Sequence, residues 1–279
     1  DGYEWADGIG FGIKDALQDT GVELKVIHMD TKRNPDETFA KEAAVAAKAE
    51  IEAFKPDVVI ASDDNAQKYL VVPYLKDTEM PVLFAGVNWD ASGYGFPSEN
   101  VSGIVEVELP TQLVEHLKQF SQGDKVTYLT ADSETERTVA QIYNDRFFNG
   151  QMDVIWVDSV DSFKDGFLQA QQEADIVFLG NNAGPQFEVW DETEMAKFFE
   201  ENTTVPTGSI NPWMAPYSLI VLGKVPEEHG EWAAKAALDI IEGTPVSDIA
   251  IAENKKGGLI LNLNIAEKLD IVFPPSLLK

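Results

Sequence analysis

Lys55-Pro56-Asp57-Val58-Val59-Ile60-Ala61-Ser62-Asp63-Asp64-Asn65-Ala66 is the stretch on which the fold turns. Residues 57–61 form a short run that is apolar on both faces once past Asp57, as in a strand buried in a parallel sheet. The polar run Ser62-Asp63-Asp64-Asn65 then puts short donors and acceptors at the carboxyl end of that strand, where the next helix starts.

The same alternation runs outward in both directions. Val- and Ile-rich strands are predicted at 24–29, 57–61, 82–85, 101–107, 126–130, 154–157 and 176–179, separated by amphipathic helical stretches. Helix starts are legible: Asn34-Pro35-Asp36-Glu37 offers a capping Asn, Pro at the first helical position and an acid at the third. Phe39, Ala43, Ala46, Ala47, Glu50 and Phe54 follow as a mainly apolar stripe. Ser133-Glu134-Thr135-Glu136 and Asp191-Glu192-Thr193-Glu194 read as capping boxes. A long helical region over 217–242, interrupted near 223–230 and stopped by Gly243, is expected to pack back on the first half.

An open βα sheet begins with a strand, yet here the chain enters a helix by Trp5 to Asp7. A first strand upstream of Asp1 is therefore expected, and without it the first sheet has a gap near its centre.

A length of 279 residues suits two domains. The formal charge of -27 argues against nucleic acid and anionic lipid as partners. With no cysteine, disulfides and thiolate chemistry are excluded. No stretch approaches the roughly 18 to 20 apolar residues that span a bilayer, so no direct membrane insertion is expected; the first residues lack the features of a signal peptide, and an exported protein would have had its leader trimmed.

Ligands of open α/β sheets sit at the carboxyl ends of the strands. The loops there carry Ser62, Asp63, Asp64 and Asn65; Asn88 and Trp89; Asp132 and Ser133; Asn181 and Asn182, within Gly180-Asn181-Asn182-Ala183-Gly184; and Trp213. With Tyr3 and Trp5 they make a set suited to hydrogen bonding and stacking on a small molecule. Any one of these Ser, Asp or Asn residues would ordinarily be a helix cap; five such loops together favour a ligand site. Asp64 reads as the cap and Asp63 as the partner of a ligand ammonium, while amides at the Asp132-Ser133 helix start would suit a carboxylate.

Catalysis finds no motif: the phosphate-binding loop, the zinc-protease helix and the nucleophile elbow are all missing. Gly8-Ile9-Gly10-Phe11-Gly12 lacks the dinucleotide spacing and reads as a glycine face packed on the sheet. His28, His116 and His229 lack metal-ligand spacing, and no cofactor is expected.

Gly2-Tyr3-Glu4-Trp5, Met29-Asp30-Thr31-Lys32-Arg33, the 55–66 stretch, Pro81-Val82-Leu83-Phe84-Ala85-Gly86-Val87-Asn88, Asn100-Val101-Ser102-Gly103 and Asn262-Leu263-Asn264-Ile265-Ala266-Glu267-Lys268-Leu269 resemble the ABC-transporter substrate-binding family that includes tryptophan- and tyrosine-binding proteins. The Asp-Asp-Asn-Ala version also resembles sensor domains of membrane histidine kinases. The resemblance implies an α/β fold of type I periplasmic-binding type: two Rossmann-like lobes with parallel sheets, joined by a three-crossing hinge, with the ligand between them. Its crossings would fall near 105–108, 213–217 and 247–252, giving lobes 1–107 plus 215–250 and 108–214 plus 251–279. A monomeric, periplasmic or otherwise extracytoplasmic binding protein is implied, partnered by a membrane permease or, alternatively, coupled to a receptor kinase. The double acid departs from members with small residues there and leaves the aromatic ligand open.

Overall fold

The computed structural model describes residues 4–182, 187 and 189–277. The chain divides into two compact units, Asp1–Val107 with Val225–Lys256, and Glu108–Lys224 with Gly257–Lys279.

In the first unit, helices α1 (Glu4–Ala16) and α2 (Glu37–Phe54) precede strand β1 (Val59–Ser62). A single turn, α3 (Asp64–Ala66), leads into a wide-turn helix, Gln67–Leu75. Then come β2 (Val82–Asn88) and β3 (Val101–Glu106). The sheet has the order β1-β2-β3-β9, with β9 at Ala252–Glu253, and every pairing is parallel. Side chains alternate across β2 as the pleat requires: Val82, Phe84 and Val87 join Ala47, Ile51 and Leu70 on one face. On the other face Ala85 packs with Ile9 and Ala233, and Leu83 with Ala236 and Ala237.

Ala233, Ala236 and Ala237 belong to α8 (Pro226–Ile241), which returns to this unit and lies along α1. The glycine face of α1 packs on α8 rather than on the sheet. A Cβ on Gly12 would come closer than 3.0 Å to the Glu227 backbone, one on Gly8 to Pro226, and one on Gly230 to the backbone of Ile9 and Ile13. Interlocked glycines let the two helix backbones touch.

The second unit holds α4 (Pro110–Lys118), β4 (Val126–Ala131), α5 (Glu134–Arg146), β5 (Asp153–Val157), α6 (Val160–Glu173) and β6 (Ile176–Leu179). It continues with α7 (Glu192–Asn202), β7 (Thr207–Ser209), β8 (Ile220–Lys224), β10 (Gly257–Leu261) and α9 (Leu263–Lys268). Its sheet runs β10-β8-β7-β6-β4-β5, parallel except for β10, which is antiparallel to β8. One face is an aromatic core in which Phe199 touches the rings of Phe163, Phe167, Trp190 and Tyr217.

Several sequence expectations change. Residues 24–29 form no strand, because a strand exists only through a neighbour's ladder and the chain there faces a groove beside β1. Residues 220–224 are strand, not helix: Ile220 and Val221 pair with Gly208 and Ser209. That strand keeps the chain in the second unit to Lys224, and β9, paired with β3, keeps it in the first unit to Lys256, so the second and third crossings fall later than the 213–217 and 247–252 expected. The cap of α2 is Asp36, which accepts from the Phe39 amide at 2.9 Å, and not Asn34, whose side chain donates to the Asp30 carbonyl. Ser133 and Asp191 do cap their helices, accepting from the Glu136 and Glu194 amides.

Side chains tie the crossings within each unit. The buried Asn254 amide grips both backbone groups of Val107, at 2.7 and 3.0 Å. Lys224 meets Glu108 at 2.8 Å. The Glu228 carboxylate accepts from the Lys255 and Lys256 amides, and Glu231 pairs with Lys235 and Lys256. Hydrogen bonds from Lys235 and then Lys256 hold the Glu231 carboxyl down to about 2. A depressed folded-state value stabilises above the unfolded value near 4.5 and loses that stabilisation as pH falls toward about 2. Because the group is part exposed, screening keeps the gain below about 1 kcal/mol. Glu231→Gln is therefore expected to lower the melting midpoint at pH 7 by about 1 to 2 °C, with the difference vanishing near pH 2 and in roughly 1 M salt, as read by calorimetry.

Candidate functional site

In the first unit the sequence-predicted residues gather at the carboxyl ends of β1 and β2. Asp63 follows β1 directly with φ +76°, a conformation costly for a residue with a Cβ, and its amide donates to the Ala85 carbonyl. That geometry turns its carboxylate toward Lys32, whose ammonium lies 2.9 Å from Oδ2; the Asp63 side chain is 17% exposed. Its Oδ1, and the Ser62 hydroxyl beside it, are buried without a hydrogen-bond partner in the protein. Buried acceptors of this kind are rare unless a ligand or solvent completes them.

Asp64 is fully engaged by its own unit. Oδ1 accepts from the Tyr94 hydroxyl at 2.7 Å, and Oδ2 from the Asn88 side-chain amide at 2.8 Å. Burial, reinforced by that bond to Asp64, pushes the Tyr94 phenol up, so it stays a donor at neutral pH. Asp64 thus fastens the loop after β2 to the loop after β1, and the expectation of Asp64 as a helix cap is corrected. Asp63 occupies the cap position, without a side-chain cap bond. Asn65 donates to the Thr31 hydroxyl at 3.2 Å.

Trp5 and Trp89 flank this cluster. The Trp5 indole nitrogen lies 3.2 Å from where a Gly86 Cβ would stand, so Gly86, at φ +67°, admits the ring as well as the bulge between β2 and β3. Trp5 meets the buried His229 ring edge-on at 5.5 Å. Trp89, also left-handed at φ +57°, is partly packed against the core cluster that includes Phe84 and Phe96. Its ring is therefore not wholly available for stacking. Tyr3 lies outside the described residues, as do Ala183 and Gly184.

In the second unit Asp132, Ser133, Asn181 and Asn182 stand at the ends of the neighbouring strands β4 and β6. Asp132 forms a two-pronged pair with Arg137, Nε to Oδ1 at 2.8 Å and Nη2 to Oδ2 at 2.9 Å, and the guanidinium lies over the Trp156 ring. The amides of Asp132, Ser133 and Glu136 already donate to the Val157 carbonyl, the Ala131 carbonyl and the Ser133 hydroxyl. With Glu134 and Glu136 in the same first turn, this helix start is poorly suited to the ligand carboxylate anticipated there. Trp213, 54% exposed, stands in a 3-10 turn over Pro212–Tyr217 beyond β7.

Beneath these loops lies a buried network that sequence reading passed over. Glu136, 6% exposed, accepts from the Tyr128 hydroxyl at 2.8 Å and the Thr130 hydroxyl at 2.6 Å, and the Thr130 oxygen in turn accepts from the Asn181 amide at 3.1 Å. Burial, with Glu136 close by, raises the Tyr128 phenol well above its usual range. Lys32, Tyr94 and Glu136 carry no local mark, because each partner is distant in sequence or hidden by a capping role. Among the described residues no group of His, Cys, Asp and Glu has metal-site geometry, and no helix is long and apolar enough to cross a membrane.

Two parallel α/β sheets from a chain that crosses three times define the two-unit architecture of type I periplasmic-binding and LacI-like proteins. No family model matches the chain, and no curated protein does. Solved structures do. The ligand-free, open structure of CD0873, a substrate-binding protein with adhesive properties from Clostridium difficile, is 18% identical with a TM-score of 0.70, covering 98% of this chain and 92% of that one. The ABC domain from Streptococcus pneumonia in complex with L-Trp is 17% identical with a TM-score of 0.55, covering 98% and 94%. A LacI transcriptional regulator from Lactobacillus brevis, 17% identical, has a TM-score of 0.50 and coverage of 92% and 95%. At these identities the likeness concerns the fold.

Proposed function

We propose that this chain is an extracytoplasmic solute-binding protein that captures a small polar molecule bearing an amine, an amino acid above all, and passes it unchanged to the membrane permease of an ABC transporter. The observation that carries the reading is Asp63: a strained residue at a strand's carboxyl end, one carboxylate oxygen held by Lys32 and the other buried without a partner. An ammonium donates to such an oxygen through a charge-assisted bond. Ser62, Asn65, Asn88 and the flat faces of Trp5 and Trp89 would orient the rest of the molecule. By their place at strand ends and turns in the sequence, Asp132, Ser133, Asn181, Asn182 and Trp213 of the second unit, with Tyr3, belong to the proposed set as well. The L-Trp held by the Streptococcus pneumonia structure supports an amino acid as the first ligand to try.

Thermal-shift screening of the amino acids, with tryptamine and indole-3-propionate as controls, tests this. At a hundred times Kd a ligand adds about 2.7 kcal/mol to native stability. The expected result is a rise of about 5 to 10 °C with at least one amine, none with the amine-free control, and at least a 100-fold loss of affinity in Asp63→Asn. Trp89→Ala should weaken binding and also lower the unliganded midpoint, because part of its ring is core. Asp63→Asn binding as well as the parent would sink the reading.

A further inference from the structure

Asp63 stands at φ +76° and ψ 156°, a backbone region open to glycine and close to forbidden for a residue with a Cβ. Such a conformation persists only where the bonds around it leave no alternative. On the amide side the constraint is the sheet, since the Asp63 N–H donates to the Ala85 carbonyl at 2.9 Å. On the carbonyl side it is one side chain. Gln67, the first residue of the wide-turn helix and 0% exposed, donates through Nε2 to the Ala61 carbonyl at 2.9 Å and to the Asp63 carbonyl at 3.0 Å. The Gln67 backbone amide reaches the same Asp63 carbonyl only at 3.4 Å, so the side chain makes the firmer of the two bonds. Ala61 and Asp63 bracket Ser62, and Gln67 therefore pins both ends of the segment that aims the Asp63 carboxylate.

Packing alone does not ask for a glutamine at this position. The other buried residues of the helix, Leu70, Val71 and Leu75, are apolar and belong to the core. A Leu or Met at 67 would be buried as readily, with no amide to satisfy. The amide is moreover only half satisfied, because among the described residues its Oε1 has no hydrogen-bond partner. Turning it over would set that oxygen against two carbonyl oxygens, so the neighbours fix Nε2 as the donor. A buried side chain that leaves one polar atom empty while the other makes two bonds owes its place to those bonds.

We infer, on the reading of Asp63 as the partner of a ligand amine, that Gln67 is a positioning residue of that site. Its bonds to Ala61 and Asp63 hold the Ser62-Asp63 segment in its positive-φ course, so that Asp63 Oδ1 and the Ser62 hydroxyl stay where a ligand completes them. Gln67 acts through Asp63 and itself touches no ligand. Without this brace Asp63 relaxes to a negative φ, and its carboxylate turns away from Lys32.

Gln67→Met keeps the reach and the apolar stem of the side chain and removes the donor. Three readouts decide, the first two without any ligand, so that they speak on Gln67 even where the proposed function fails. Scalar couplings of Asp63, which report the sign of φ, should give a positive φ in the parent and a negative one in Gln67→Met; a positive φ in both overturns the inference. In a double-mutant cycle with Asp63→Gly, glycine has no strain to release, so Gln67→Met should lower the melting midpoint by about 3 to 8 °C more in the Asp63→Gly protein than in the parent. Equal losses overturn it. L-tryptophan bound by the parent should bind Gln67→Met at least about 10-fold more weakly, and unchanged affinity overturns the positioning role. Should Gln67→Met not fold, Gln67→Glu takes its place: at about pH 5 its buried carboxyl is protonated and donates one bond, whereas at about pH 9 the carboxylate faces two carbonyl oxygens. Asp63 should then hold a positive φ only at the lower pH, and a positive φ at both overturns the inference.

Discussion

Gly230→Ala is expected to lower the thermal midpoint of the first unit by about 10 °C, a loss of about 3 kcal/mol. The added methyl would stand closer than 3.0 Å to the Ile9 backbone and to the Ile13 amide, and neither is a flexible side-chain tip that could swing aside. Relief requires α1 and α8 to separate, and separation loosens Ile9 and Ala233, which pack together with Ala85 and Ile104 of the sheet. Alanine has the better helix propensity by about 1 kcal/mol, so a net loss isolates the close approach from any effect on the helix alone. Gly10→Ala is the control: a Cβ there meets nothing within 4 Å, and the substitution should leave the midpoint unchanged or raise it slightly. Calorimetry of both variants decides, and a Gly230→Ala protein as stable as the parent would show that the helices do not pack through their glycines.

Glu136→Ala is expected to cost the second unit about 3 kcal/mol, because it removes the acceptor of two buried hydroxyls at once. Tyr128 is enclosed by Tyr143 and Phe178, and its hydroxyl donates to the Glu136 carboxylate at 2.8 Å. The Thr130 hydroxyl also receives the Asn181 backbone amide, so Asn181 should lose its anchor at the end of β6 as well. Glu136→Gln keeps one acceptor oxygen and should recover at least half of the loss. Denaturant titration of the three proteins checks the stability, and equal losses for Ala and Gln would mean that shape and not hydrogen bonding is what Glu136 supplies.

What was legible in the sequence follows from local rules. Strands β2, β3, β4 and β6 announce themselves because they are buried on both faces and so are rich in Val, Ile, Leu and Phe, and half-buried β5 does so through Val154, Ile155 and Val157. Ser133 and Asp191 announce themselves because a cap and its amide lie three residues apart. Strand β7 is three residues with a glycine in it, and β8 follows a Pro-containing turn and leads straight into a helix; neither has a periodic signal long enough to read. Of the candidate site, the positions of Ser62, Asp63, Asp64 and Asn88 at strand ends were readable from alternation alone. Their division of labour was not: only the tertiary arrangement brings Tyr94 and Asn88 onto Asp64 and Lys32 onto Asp63.

The succession β1 to β6 with the helices between them, the mainly parallel class of the sheets and the placing of polar loops at strand ends are written in the sequence, since each is marked by residues within one turn or one strand of each other. The points at which the chain changes units, the packing of the α1 glycines on α8 instead of the sheet, and the failure of residues 24–29 to become a strand were decided only in three dimensions. The physical reason is common to all three. Helix caps and buried runs are satisfied by near neighbours, whereas a ladder, a backbone-to-backbone contact or a crossing exists only when a partner from far along the chain is in place.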